Sequence, residues 1–136
     1  MADPAEDEVR STFNELVSAI NSGDVEALGS LMLKGRDHIH IGSEDSEWWS
    51  ADEFLENFSN VNVDQGVTAE AGEVTVHVQG DVAWVEGQGH FKNASGGERG
   101  IRLTGVFVRG DDGRWKSVQS HVSIPVPNDQ IFVSEG

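Results

Sequence analysis

The sequence predicts an α+β fold: helices gathered on one face of a curled antiparallel sheet. Three observations predict it. Apolar residues recur at helical spacing only before about residue 60, and from Val67 onward they alternate with a period of two. The last long hairpin, Ile101 to Arg109 and Arg114 to Ser123, turns on Gly110-Asp111-Asp112-Gly113, two glycines flanking two aspartates that favour a tight reversal. No internal repeat or second composition interrupts the 136 residues, so residues 1–136 read as one domain, long enough to bury a core.

Taken in order, Asp3 can cap a first helix, Pro4 suits its first turn and Glu6 completes the box. Val9, Phe13, Leu16, Val17 and Ile20 form its apolar stripe, and Gly23 stops it. Asp24 caps a short second helix carrying Val25, Leu28, Leu31 and Met32, closed by Lys34-Gly35-Arg36 with positive charge at its C-terminus. His38 to Ile41 reads as a strand, with Ile39 and Ile41 opposite His38 and His40. After a loop from Gly42 to Trp49, Ser50 and Glu53 make a capping box for a third helix with Ala51, Phe54, Leu55 and Phe58 inside.

Val74, Val76 and Val78 then alternate with Thr75 and His77 up to a turn at Gly80-Asp81. In Val82 to Lys92, Val82, Trp84, Glu86, Gln88 and His90 share a face, while Gly87 and Gly89 lie opposite and mark a bulge or bend. Glu86 and His90 are expected to point outward. Asn93 to Gly100 is a polar loop. In the final strand unbroken alternation puts Trp115, Ser117, Gln119, His121 and Ser123 on one face, a mixture that suits the wall of a partly polar pocket. Residues 124–136, with Pro125 and Pro127, read as an extended tail.

Charge and composition exclude several classes. Acidic residues number 24 against 9 basic ones, for a net charge of −15, and such a surface repels phosphate backbones. No nucleic-acid partner is expected. The acids are spread along the chain and so form no acidic tail; the excess suggests adaptation to a salt-rich cytoplasm, where screening suppresses self-repulsion, with an ordinary acidic bacterial protein as the plainer alternative. No apolar run approaches the roughly 20 residues of a membrane span, and the N-terminus lacks the pattern of a signal peptide. A soluble, cytoplasmic chain without membrane partners is expected. There is no cysteine, hence no disulfide or thiolate site. His38 and His40 share a face, but their spacing to His77, His90 and His121 matches no zinc pattern; no metal and no cofactor are expected. Nucleophile-elbow, phosphate-loop and dinucleotide motifs are missing too.

Ile41-Gly42-Ser43 followed by Glu47-Trp48-Trp49, then Gly80-Asp81-Val82-Ala83-Trp84, then Asp112-Gly113-Arg114-Trp115 running into Val118, His121 and Ser123, resemble in this order the nuclear transport factor 2 superfamily and its SnoaL-like proteins. The closing pattern also resembles the association domain of calcium/calmodulin-dependent kinase. The resemblance covers nearly the whole chain. It implies a cone-shaped α+β barrel, a curled antiparallel sheet of about five to six strands closed by three N-terminal helices, often paired as a homodimer through the sheet. It implies no single activity, since the superfamily holds isomerases, dehydratases, hydrolases, cyclases and scaffolds. Steroid isomerase-like and scytalone dehydratase-like sites rely on tyrosine hydroxyls, and this chain has no tyrosine.

The expectation for function is therefore a pocket for a small molecule, apolar or aromatic with a polar or anionic group. His121 is the first acid/base candidate, because imidazole titrates near neutrality. Glu47, beside two tryptophans, is the second, its proton affinity raised by apolar surroundings. Each has a structural alternative: a histidine bonded to a neighbouring strand, and a loop carboxylate capping a helix or pairing with Arg102. Trp48, Trp49 and Trp84 would form an aromatic wall or simply fill core. Arg102 would hold a ligand carboxylate or a structural ion pair, with Thr104, Ser123 and His40 as polar contacts. Two further functions stand beside binding: a cofactor-free proton-transfer enzyme using His121 and Glu47, and an association module in which the sheet face matters.

Overall fold

The structure, a computed structural model, describes residues 4–34, 38–58 and 66–132. Asp3, Gly35, Arg36 and the side chain of Phe58, named above as cap, helix stop and core, lie outside the described residues. The first helix, α1 (Pro4–Ser22), buries Val9, Phe13, Leu16 and Ala19. Gly23 ends it with φ 72°, a left-handed conformation open to glycine at no steric cost. Asp24 caps α2 (Val25–Ser30), its Oδ1 accepting from the Ala27 amide at 3.1 Å. The strands β1 (Ile39–Ile41) and β2 (Trp48–Trp49) precede α3 (Ala51–Phe58). The expected capping box forms: the Ser50 amide donates to Glu53 Oε1 at 3.1 Å and the Glu53 amide to Ser50 Oγ at 3.3 Å.

The sheet is completed by β3 (Thr68–Glu70), β4 (Val74–Gln79), β5 (Val82–Lys92), β6 (Glu98–Arg109) and β7 (Trp115–Ser123). Strands β4 to β7 are the expected antiparallel meander. Two features go beyond the periodicity. β1 pairs in parallel with β7, and β2 folds back on β1, so among the described residues the sheet has seven strands with β1 and β7 as its parallel pair, beside a parallel bridge of Met32 to Ser117. β3 and β4 share one edge of β5, β3 beside residues 90–92 and β4 beside residues 82–87. Where the chain passes from one to the other it crosses Gly89; a Cβ there would stand 1.9 Å from the Glu70 carbonyl oxygen. That close backbone approach is why position 89 needs glycine, while β5 runs past it without a register shift against β6. The result is an α+β fold with a curled sheet that does not close, in keeping with a cone.

The register of β7 overturns one expectation. Val106 pairs with Gln119, yet Phe107 pairs with Ser117, leaving Val118 as an extra residue. A bulge of this kind reverses which side chains face inward. Trp115 and Ser117 are buried before it; after it Ser120 and Val122 line the interior, while Gln119 and His121 are exposed. Trp115, Ser117, Gln119, His121 and Ser123 therefore do not share a face.

The core has two parts. One lies between α1 and the inner face of β4–β7, around Phe13, Val85, Leu103 and Phe107; the other joins the three helices around Leu16, Leu28, Met32 and Phe54. Full burial of side chains such as Phe107 and Leu28 stabilises the fold by roughly 1.5–3 kcal/mol each. Trp115 closes one end, its Nε1 donating to Glu8 Oε2 at 3.2 Å beneath the Arg109 guanidinium, which lies 4.6 Å from the ring centre. Beyond β7 the described tail contains one short 3₁₀ turn, Asn128–Gln130. Among the described residues no helix is long and apolar enough to cross a membrane.

Candidate functional site

Between the helices and the inner face of the sheet lies a cavity of about 70 Å³. Its walls are mostly apolar. α1 supplies Phe13, Leu16, Val17 and Ile20; Leu28 comes from α2, Phe54 from α3 and Met32 from the segment after α2 that bridges Ser117, and Ala69, Ile101, Leu103 and Val122 from the sheet. The polar lining is His38, His40, Thr104, Ser117 and Ser120, none of them a charged carboxylate, lysine or arginine.

Two local features build that polar wall. Alternation in and before β1 turns His38 and His40 inward, both buried, while Ile39 and Ile41 stay only partly covered. The Val118 bulge turns Ser120 inward. Parallel pairing sets His40 beside Ser120, and His40 Nδ1 lies 2.7 Å from Ser120 Oγ. The His40 ring meets Phe54 edge-on, with centroids 4.3 Å apart, and Trp49 lies behind both.

Burial chiefly, with help from the nearby His38 and His121, pushes the His40 pKa down to about 3. Burial also lowers that of His38. Both imidazoles are therefore neutral near pH 7. His38 Nδ1 is buried with no hydrogen-bond partner among the described residues, a state that costs about 1–3 kcal/mol.

Of the residues singled out in the sequence, His40 stands squarely in the cavity wall. His121 is exposed on the outer face of the sheet, opposite Thr104. Thr104 is exposed there too, and also borders the cavity. Arg102 and Ser123 pair on the same outer face, Nε donating to Oγ at 3.3 Å. Trp84 faces outward and stacks on His77, whose Nε2 lies 2.7 Å from Glu86 Oε1. Trp48 is 66% exposed, and Trp49 packs beside the helical core without lining the cavity.

Glu47 is half-buried in the turn between β1 and β2, folded over Gly42, where a Cβ would meet its Oε2 at 2.1 Å. Its Oε1 accepts from the Glu44 amide at 3.3 Å, a bond within its own turn that neither caps a helix nor pairs it with Arg102. Desolvation raises its pKa, opposed by the backbone bond from Glu44. His121, Glu47 and Arg102 thus do not converge on one enclosed space. Sequence reasoning missed His38, Ser117 and Ser120 as lining residues. The alternation of His38 and His40 with isoleucines was a usable signal for the first; the bulge concealed Ser120. Among the described residues no cluster of three or more His, Asp, Glu or Cys is placed to hold a metal ion.

Comparison with solved structures places this geometry in a known fold. An NTF2-like protein of unknown function from Pseudomonas putida KT2440 superposes with a TM-score of 0.82 at 17% identity, over 96% of this chain and 93% of that one. A nuclear transport factor 2-like superfamily protein from Salmonella enterica does so with 0.76 at 21% identity, over 96% of each chain. An NTF2-like protein with a cystatin-like fold from Novosphingobium aromaticivorans gives 0.72 at 21% identity, over 87% and 80%. No curated protein matches the sequence significantly. Residues 9–127, most of the chain, match the SnoaL-like domain, and the chain belongs to that family.

Proposed function

We propose that the chain binds a small, neutral, largely apolar molecule in the cavity between its helices and sheet. The observation that supports this reading best is the composition of the wall: apolar on the helical side, with neutral imidazoles and a hydroxyl converging at the β1–β7 junction. No charged side chain is among the described lining residues, so the anionic ligand group expected from Arg102 has no counter-charge there. Binding ranks ahead of proton transfer by His121 and Glu47, because those two groups stand outside the wall and a general base must reach its proton within about 3 Å.

The test is thermal unfolding with a panel of compact neutral compounds, repeated with Val122→Phe, which fills the cavity at an overpacking cost of about 1–3 kcal/mol. Saturable stabilisation of the native protein that Val122→Phe loses supports the reading. Equal shifts in both proteins would point to binding elsewhere.

The association reading has its own support. The outer sheet face carries exposed Trp48, Val82 and Trp84, with Ile39 and Ile41 partly covered beside His121. We propose that a second copy covers this face. Light scattering should give a dimer that Trp84→Glu converts to monomer; a wild-type monomer at all concentrations would count against it.

A further inference from the structure

The polar wall has a property that would set ligand choice, given the reading of the cavity as a ligand site. A neutral imidazole carries one proton shared between two nitrogens as alternative tautomers, and a hydroxyl can both donate and accept. The tautomer of a histidine is fixed by the bond its other nitrogen makes. In His40, Nδ1 lies 2.7 Å from Ser120 Oγ, while Nε2 has no hydrogen-bond partner among the described residues. Among the described residues no second hydrogen bond to the His40 ring imposes either arrangement.

Two arrangements follow. With the ring proton on Nε2, Ser120 donates its hydrogen to Nδ1, and its oxygen accepts from a ligand. With the ring proton on Nδ1, that N–H donates to Ser120 Oγ, and the hydroxyl hydrogen turns to a ligand acceptor. Ser120 lines the cavity beside apolar Leu103 and Val122, where the opposite end of a ligand would lie against hydrocarbon.

We infer that His40 and Ser120 form a hydrogen-bonding site of reversible polarity, so that the cavity takes compact neutral molecules bearing either one acceptor, such as an ether or ketone oxygen, or one donor, such as a pyrrole-type N–H. The low proton affinity of the buried His40 keeps the ring neutral, and so able to adopt either tautomer, across the physiological range.

Five-membered rings are suitable probes. An apolar cavity of about 150 Å³ holds benzene, this one is about half that, and the unbranched Met32 in its wall can shift rotamer. Tetrahydrofuran accepts, pyrrole donates and cyclopentane does neither. Affinities are measured by titration followed by NMR, and the His40 ring nitrogens are read in protein labelled with ¹⁵N-histidine.

The expected result is that tetrahydrofuran and pyrrole bind within about threefold of each other, with the ring proton on Nδ1 in the first complex and on Nε2 in the second. Ser120→Ala weakens both by about tenfold and leaves cyclopentane unchanged. The same tautomer in both complexes, or a wild-type site that binds cyclopentane as tightly as the polar rings, overturns the inference while leaving the ligand cavity standing. Binding of none of the three overturns the ligand cavity itself, and this inference with it. Should Ser120→Ala fail to fold, the tautomers in the native protein decide.

Discussion

His40 Nδ1 lies 2.7 Å from Ser120 Oγ, joining two residues 80 positions apart across the parallel junction of β1 and β7. β1 is three residues long, and its backbone pairing alone is a short seam. The side-chain bond, with the edge-on contact of His40 against Phe54, fastens that seam to both the sheet and α3. The contact therefore holds the cone together where its polar wall is built.

Acid stability should report the burial of His40. Its pKa is about 3 in the folded chain against an ordinary 6.5, so on acidification the unfolded chain takes up a proton that the folded chain does not. The contribution is fully present above about pH 6.5 and is lost as pH falls toward about 3, a total of roughly 4–5 kcal/mol at about 1.36 kcal/mol per unit. Between pH 6.5 and 5, before most carboxylates protonate, urea unfolding should show stability falling with pH in the native protein. The slope should be shallower in His40→Gln. Parallel profiles would contradict the burial of a neutral imidazole.

Gly89 and Gly100 should respond oppositely to alanine. A Cβ on Gly89 meets the Glu70 carbonyl at 1.9 Å, while one on Gly100 meets nothing within 4 Å. Gly89→Ala is expected to cost more than about 3 kcal/mol, through displacement of the β3 edge, and Gly100→Ala to change stability by less than about 0.5 kcal/mol. Equal effects in chemical denaturation would mean that the chain does not pass from β3 to β4 over Gly89 as described.

Asn21 fastens α1 to that same edge. Its Nδ2 donates to the Ala69 carbonyl and its Oδ1 accepts from the Ala69 amide, both at 2.8 Å, so the side chain serves as a one-residue strand partner. Asn21→Ala should destabilise by about 1–3 kcal/mol and speed hydrogen exchange at the Ala69 amide. Unchanged exchange there would remove this role for Asn21.

Salt should matter as well. With a net charge of −15, the folded chain repels itself, and raising the salt from about 0.1 M to 1 M shortens the screening length from about 10 to 3 Å. The unfolding midpoint is expected to rise across a KCl series. A flat profile would leave the acidity as an ordinary surface property and end the idea of salt adaptation.

The sequence carried the helices and the meander because their signals are local. The Ser50–Glu53 box, the Asp24 cap, the Gly23 stop and the alternation of Val74 and Val76 each act within a few residues. The junction of β1 with β7 is not local; three residues of strand carry no mark of the partner they choose. The bulge at Val118 was equally hidden, since an inserted residue is indistinguishable from a regular one until its pairing is known. That single residue moved His121 and Ser123 to the outer face and brought Ser120 in, which is why the candidate site was legible at His40 and not at its partner.

The most direct test of the cavity reading is amide chemical-shift mapping of the native protein titrated with tetrahydrofuran, the probe for the acceptor arrangement. Saturating shifts centred on Leu103, Ser117, Ser120 and Val122, with Trp84 and Arg102 on the outer face unmoved, are the predicted result. Shifts confined to the outer face, or none that saturate, would contradict a ligand site between the helices and the sheet.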